Sequence, residues 1–168
     1  MTAAHPLHTG THIFRPSPAT ATDIRGMTGR EILQAALDGR FPAAPLMTAL
    51  GFRLVQVGDG TVVFEGEPAD HLLDPMAGVH GGFVTTLLEA ALGAAVLTRL
   101  PGGTRSTSVQ IGIHVHRSVR TDTRTLRCEG TAIHVGTTTA SAEARLVGVE
   151  DGDLYAHATA TCAILRMI

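Results

Sequence analysis

The chain has 168 residues, 44% hydrophobic and 17% charged, with a formal net charge of −2. That is enough chain for one domain with a sizeable core, and the composition excludes disorder throughout. A charge so near neutrality gives no field that would hold a polyanion, so nucleic acid is not an expected partner.

Residues 1–26 are rich in Thr, Pro, Ala and His without periodicity and are expected to form a flexible arm, ahead of a single domain over 27–168. His5, His8 and His12 in this arm are read as tail residues rather than metal ligands. The opening MTAAHPLHTGTHIF lacks a basic region followed by an apolar core, so no secretory signal is expected and the cytoplasm is the expected compartment. Order should begin at Thr28-Gly-Arg-Glu31, a capping-box pattern, with Ile32, Leu33, Ala36 and Leu37 at helical spacing and Gly39 as the stop. After the turn at FPAAP, Phe52 to Val57 and Thr61 to Glu67 read as strands joined by Gly58-Asp59-Gly60.

A long apolar helix is expected from about His80 to Leu100, closed by Pro101-Gly102-Gly103. Its apolar stretch is too short for a typical bilayer and carries Glu89 at its centre, so no membrane span is expected. Four β-like runs follow. Val109, Ile111, Ile113 and Val115 are expected to share one face, as are Ala140, Ala142, Ala144 and Leu146, and Ala156, Ala158, Ala160, Cys162 and Ile164. Leu126 to Val135 is less regular. The fold class is therefore α+β, a curled antiparallel sheet wrapped around one long central helix, with a short N-terminal helix. Cys128 and Cys162 lack CxxC spacing and are expected to be buried free thiols.

Two features of the long helix carry chemistry. Gly81 and Gly82 stand where it begins, and the first N–H groups of a helix have no internal partner, so a ligand oxygen can approach them closely. Glu89 is the only ionisable side chain between His80 and Arg99. An acid in such surroundings is either paired, solvated at an edge, or a desolvated functional group. Eight residues separate Gly81 from Glu89, roughly 12 Å along one helix axis. Reacting groups must come within roughly 3–3.5 Å of one another. If both act on one carbonyl, the site lies between two chains, with two equivalent sites per pair.

Asp74-Pro-Met-Ala-Gly-Val-His80-Gly81-Gly82, followed nine positions after His80 by the acid in TTLLEAALG, resembles the signature of hotdog-fold acyl-CoA thioesterases of the PaaI-like (phenylacetate-degradation-type) group. The resemblance runs over roughly residues 28–166 and includes TSVQIGIHVHRSVR, EGTAIHVGTTTASAEARL and YAHATATCAIL. It implies a hotdog fold and hydrolysis of a CoA thioester, in a homodimer or homotetramer. No metal and no cofactor is implied, since coenzyme A arrives as part of the substrate. By family position Gly81 would donate its N–H to the thioester carbonyl, with Gly82 beside it and His80 shaping the turn and orienting that carbonyl. Glu89 would be nucleophile or general base. Asp74 falls where the family often has Asn or Gln beside the attacking water, a departure that would set two carboxylates against each other across the site. Ser108 or Thr107 would hold the water, and Arg117 and Arg120 would meet the nucleotide phosphates. The same fold also carries 3-hydroxyacyl thioester dehydratases and non-catalytic acyl-CoA-binding modules; the spacing from His80 to Glu89 favours the thioesterase. His114 and His116 share a strand face without a third ligand, and no GxSxG elbow is present.

Overall fold

The computed structural model of the chain describes Ile24 and residues 26–166. Most of the arm expected over residues 1–26, including His5, His8 and His12, lies outside the described residues. Helix α1 (Gly29–Leu37) starts at the capping box read from the sequence: the Glu31 N–H donates to the Thr28 hydroxyl at 3.3 Å, and the Thr28 N–H donates to the Glu31 carboxylate at 2.7 Å. Glycine is required at position 29, because a Cβ there would run into the backbone carbonyl of Leu97 on the long helix. The Gly29 N–H donates to Leu100 O at 3.0 Å, which ties α1 to the end of that helix.

The segment read as a simple Pro-containing turn contains a second short helix, α2 (Pro45–Leu50), with Pro45 at its first position and Gly51 in the left-handed conformation after its end. Strands β1 (Phe52–Val57) and β2 (Thr61–Gly66) form the expected hairpin, β2 stopping one residue short of Glu67. Helix α3 (Gly81–Leu97) ends three residues before the expected Leu100. From there the backbone tightens, with Arg99 and Leu100 donating to the carbonyls three residues back ahead of Pro101. The buried Thr98 hydroxyl donates to Ala95 O and accepts from the Gly60 N–H, both within 2.8 Å, and fixes this end of α3 to the β1–β2 turn.

Strands β3 (Thr104–Val115), β4 (Leu126–Val135), β5 (Thr139–Gly148) and β6 (Leu154–Arg166) complete a six-stranded antiparallel sheet of order β1-β2-β4-β5-β6-β3. Its concave face closes on α3 through alternating small residues: Ala140, Ala142, Ala144 and Leu146 on β5, and Ala156, Ala158, Ala160 and Cys162 on β6, are each at most 3% exposed. Leu87, Leu88, Leu92 and Val96 of α3 fill the space between. β4 alternates from Leu126 to Ala132, with Leu126, Cys128, Gly130 and Ala132 inward, and loses its alternation at an irregularity between Ala132 and His134, so the less regular reading holds only for its end. At Gly130 a Cβ would stand 2.7 Å from the Ala91 carbonyl carbon, so helix and sheet meet backbone to side-chain-free backbone.

β3 corrects one expectation. A bulge between Ser108 and Gln110 takes Val109 off the face it was expected to share with Ile111 and Ile113, leaving it 62% exposed. Val115 remains in alternation but is 60% exposed, because β3 is an edge strand and none of the described residues covers its far end. Among the described residues no helix is long and apolar enough to cross a membrane.

Candidate active site

The approach to α3 is a tight loop built by Asp74. Its carboxylate Oδ1 accepts from the Met76 N–H at 2.8 Å and the Gly78 N–H at 3.1 Å, while its own N–H donates to Gly78 O at 2.8 Å. Leu73 and Val79 close the loop as an isolated antiparallel bridge. Ala77 is forced to φ 62°, a left-handed conformation that costs a non-glycine residue about 1 kcal/mol or more. The Asp74 oxygen expected beside a water is therefore engaged by the loop that presents His80.

His80 caps α3 directly. Its Nδ1 accepts from the Gly82 N–H at 2.8 Å, and its backbone carbonyl accepts from Phe83 at 3.0 Å. An imidazole that accepts at Nδ1 carries its proton at Nε2, so the neutral ring has one N–H donor to offer outward. With Gly82 satisfied by the cap, the donor left over is Gly81: among the described residues nothing accepts its N–H, and a Cβ on Gly81 would meet no atom within 4 Å. The exposed start of α3 thus presents one unpartnered N–H to open space, reinforced by the positive end of the helix dipole.

Glu89 lies two turns further along. The fully buried residues of α3 face the sheet and leave a half-buried stripe of Gly82, Thr86, Glu89, Ala90, Gly93 and Leu97 on the other side. Glu89 sits in the middle of it. Among the described residues it makes no ion pair. Its one side-chain partner is Ser108, whose hydroxyl donates to Oε1 at 3.1 Å. The acid is therefore neither the arginine-paired nor the freely solvated carboxylate that the sequence left open. Ser108 reaches it from inside the sheet, whereas Thr107, one position back on β3, points to the opposite face and is exposed.

Cys162 is the cross-strand partner of Ser108 and is fully buried beside this pair. Burial pushes its thiol up from the ordinary value; the Ser108 hydroxyl works against that shift and the Glu89 charge adds to it. Its part in the site was not read from the sequence, where it counted as a buried free thiol on an inward strand face. The signal was its register, opposite the serine singled out on β3.

Arg117 and Arg120 are not brought to Glu89. About seven residues of strand, roughly 24 Å, separate Ser108 from Val115, and the arginines lie beyond that end. Arg117 pairs with Asp153 at 2.7 Å and rests over the Tyr155 ring, Arg120 with Asp122 at 3.0 Å, and Arg124 with Glu150 at 3.2 Å. They line an open cavity of about 460 Å³ in which each guanidinium already has a carboxylate. His114, His116 and His157 stack on the outer face of the sheet, joined by a 2.8 Å contact between His116 Nε2 and His157 Nδ1. Among the described residues no group of three His, Cys, Asp or Glu side chains forms a set that could hold a metal ion.

An antiparallel sheet curled around a single long helix, here with an open glycine at the helix N-terminus and one acid at its middle, is the hotdog fold. Comparison agrees. Residues 76–155 match the thioesterase superfamily. Among solved structures, a thioesterase family protein from Silicibacter pomeroyi superposes with a TM-score of 0.70 at 21% identity, covering 80% of this chain and 98% of that one. A phenylacetic acid degradation-related protein from Ralstonia eutropha gives 0.69 at 23% identity over 78% and 98%. A variant of the phenylacetic acid degradation protein PaaI from Thermus thermophilus gives 0.63 at 24% identity over 71% and 98%. At these identities the likeness is one of fold. No curated protein matches the sequence.

Proposed function

We propose that this protein is an acyl-CoA thioesterase of the PaaI-like group, hydrolysing a CoA thioester to the free acid and CoA. The observation that carries the proposal is Glu89: a carboxylate at the centre of an apolar helix, half-buried, without an ion-pair partner among the described residues, and oriented by a single donated hydrogen bond from Ser108. An acid so placed faces outward from an apolar helix and is available to a bound ligand. With Oε1 held by Ser108, Oε2 is free to act.

The thioester carbonyl oxygen accepts from the Gly81 N–H, which stabilises the negative charge that develops on it. Glu89 either takes a proton from water, whose hydroxyl adds to the carbonyl carbon, or adds to that carbon itself and is released by water afterwards. In both cases the C–S bond breaks and CoA leaves as a thiolate that needs no strong general acid. The acid product keeps one oxygen from water, and the thiolate takes up the remaining proton. His80, with its proton on Nε2, orients the carbonyl.

Gly81 and Glu89 belong to one continuous α-helix, so their separation of roughly 12 Å along it stands. We therefore place the working site between two chains, Gly81 from one and Glu89 from the other. The edge position of β3, a 12-residue strand with Val109 and Val115 exposed, supports pairing of copies along that strand. The test is thiol release from a panel of aryl and aliphatic acyl-CoA esters. Wild-type protein should release CoA, and Glu89→Gln should lose about a hundredfold or more of that rate. Tight ester binding without release by the wild type would assign a binding module instead, and formation of an enoyl product a dehydratase.

A further inference from the structure

Gly93 lies one turn beyond Glu89 on the same half-buried stripe, well inside the 17 residues of α3. Glycine is the poorest interior helix former after proline. Where glycine faces the core elsewhere, packing requires it: a Cβ at Gly130 would stand 2.7 Å from the Ala91 carbonyl carbon, and one at Gly66 2.9 Å from Phe52 Cβ. Position 93 differs. Among the described residues an added Cβ would meet only Glu89 Oε1, at 3.9 Å, an ordinary van der Waals distance. Packing among the described residues permits alanine there, and helix propensity favours it.

What a methyl group would change is the space over the carboxylate. Side chains on a helix lean toward the preceding turn, so a residue at 93 covers the surface beside Glu89. An attacked carbonyl carbon comes within roughly 3–3.5 Å of the attacking oxygen. A Cβ at 3.9 Å from Oε1 stands beside the carboxylate whose other oxygen, Oε2, attacks, and so crowds the space that the atoms bonded to that carbon must enter.

We propose that Gly93 is a specificity-determining position, keeping open the space beside Glu89 for acyl groups that are bulky at the carbon next to the thioester carbonyl, aryl or α-branched. The proposal rests on the thioesterase reading above. It selects among CoA esters by shape at one carbon, which the acid and its serine do not do.

The experiment compares wild type and Gly93→Ala on benzoyl-CoA and butanoyl-CoA, with melting temperature and oligomeric mass measured on the same samples. Expected is a fall in kcat/KM of about tenfold or more for benzoyl-CoA and less than about threefold for butanoyl-CoA. The melting temperature should rise by roughly 2–4 °C from the gain in helix propensity. An unchanged benzoyl-to-butanoyl ratio overturns the proposal, as does a wild type that hydrolyses butanoyl-CoA and not benzoyl-CoA. Equal losses on both esters with an altered oligomeric mass assign Gly93 to contact between chains and also overturn it. A wild type inert toward both esters and the wider panel removes the thioesterase reading, and this proposal with it.

Discussion

Gly130→Ala is a one-methyl change that should damage both stability and activity. Gly130 lies on β4 at the centre of the sheet, between Val62 and Ala144, and faces α3. An added Cβ would stand 2.7 Å from the Ala91 carbonyl carbon and 3.1 Å from Ala91 Cβ. Carbon atoms pack at about 3.5–4.0 Å, so helix and strand must part by roughly 1 Å. Overpacking of this kind costs about 1–3 kcal/mol, a fall in melting temperature of roughly 2–12 °C for a domain of this size. Ala91 is two residues past Glu89, so the same displacement moves the carboxylate relative to Ser108. A misplacement of about 1 Å costs on the order of a hundredfold in rate. Thermal unfolding by circular dichroism and thiol release, both run well below the variant's melting point, measure the two effects. Gly112→Ala is the control, since its Cβ would meet nothing nearer than Gln110 Nε2 at 3.5 Å. A Gly130→Ala protein with wild-type melting temperature and full activity would refute the reasoning about how α3 is seated.

Ser108→Ala removes the one donor to Glu89 Oε1 and should lower kcat about tenfold or more while leaving KM and melting temperature nearly unchanged; wild-type kcat would remove Ser108 from the site. Thr28→Ala should cost about 1 kcal/mol of stability through loss of the α1 cap, read as the shift in a urea unfolding midpoint. The Thr28 backbone N–H, and after it the Thr28 hydroxyl, hold the Glu31 carboxyl below its ordinary value. Its contribution is thus full above the unfolded-state value and lost as pH falls through the lower folded one. The melting-temperature gap between wild type and Glu31→Gln should therefore narrow from about pH 5 to pH 3, and a gap that widens would contradict the cap. Burial, then the neighbouring Glu129 charge, pushes the Cys128 thiol up to about 12, and burial raises Cys162 as well. Both should resist iodoacetamide at pH 8 in the folded protein and react promptly in denaturant; prompt labelling of native protein would show that the sheet does not seal over them.

Period-2 alternation and cap chemistry are local properties, and the elements they describe were legible: the α1 capping box, the β1–β2 hairpin and the alanine faces of β5 and β6. The misses arose where the deciding contact is distant in sequence. The inward face of β4 includes Gly130, which counting apolar residues passes over, and glycine is there because of Ala91 on α3. Val109 left its expected face through a bulge that no alternation announces. α2 was hidden because six residues with a proline at the start read equally well as a turn. In the site, the glycine pair and the lone acid stood out because each is anomalous for its surroundings. The satisfied Nδ1 of His80, which leaves Gly81 as the open donor, depends on a ring orientation that sequence does not carry. The loop-bound Asp74 and the seat of Cys162 beside Ser108 likewise follow from register and backbone path.

The central claim is that Gly81 and Glu89 serve one thioester from two different chains, and subunit complementation tests it. Gly81→Pro removes the N–H at the first position of α3, where proline is tolerated, and His80 already has the extended conformation (φ −59°, ψ 133°) that suits a residue before proline. Glu89→Gln removes the acid. Each variant alone should lose about a hundredfold or more in thiol release. After mixing equal amounts and reassembly, half of the dimers carry both chains, each with one intact site of two, so about a quarter of wild-type activity should return. Activity no higher than the mean of the two separate variants would contradict a site shared between chains.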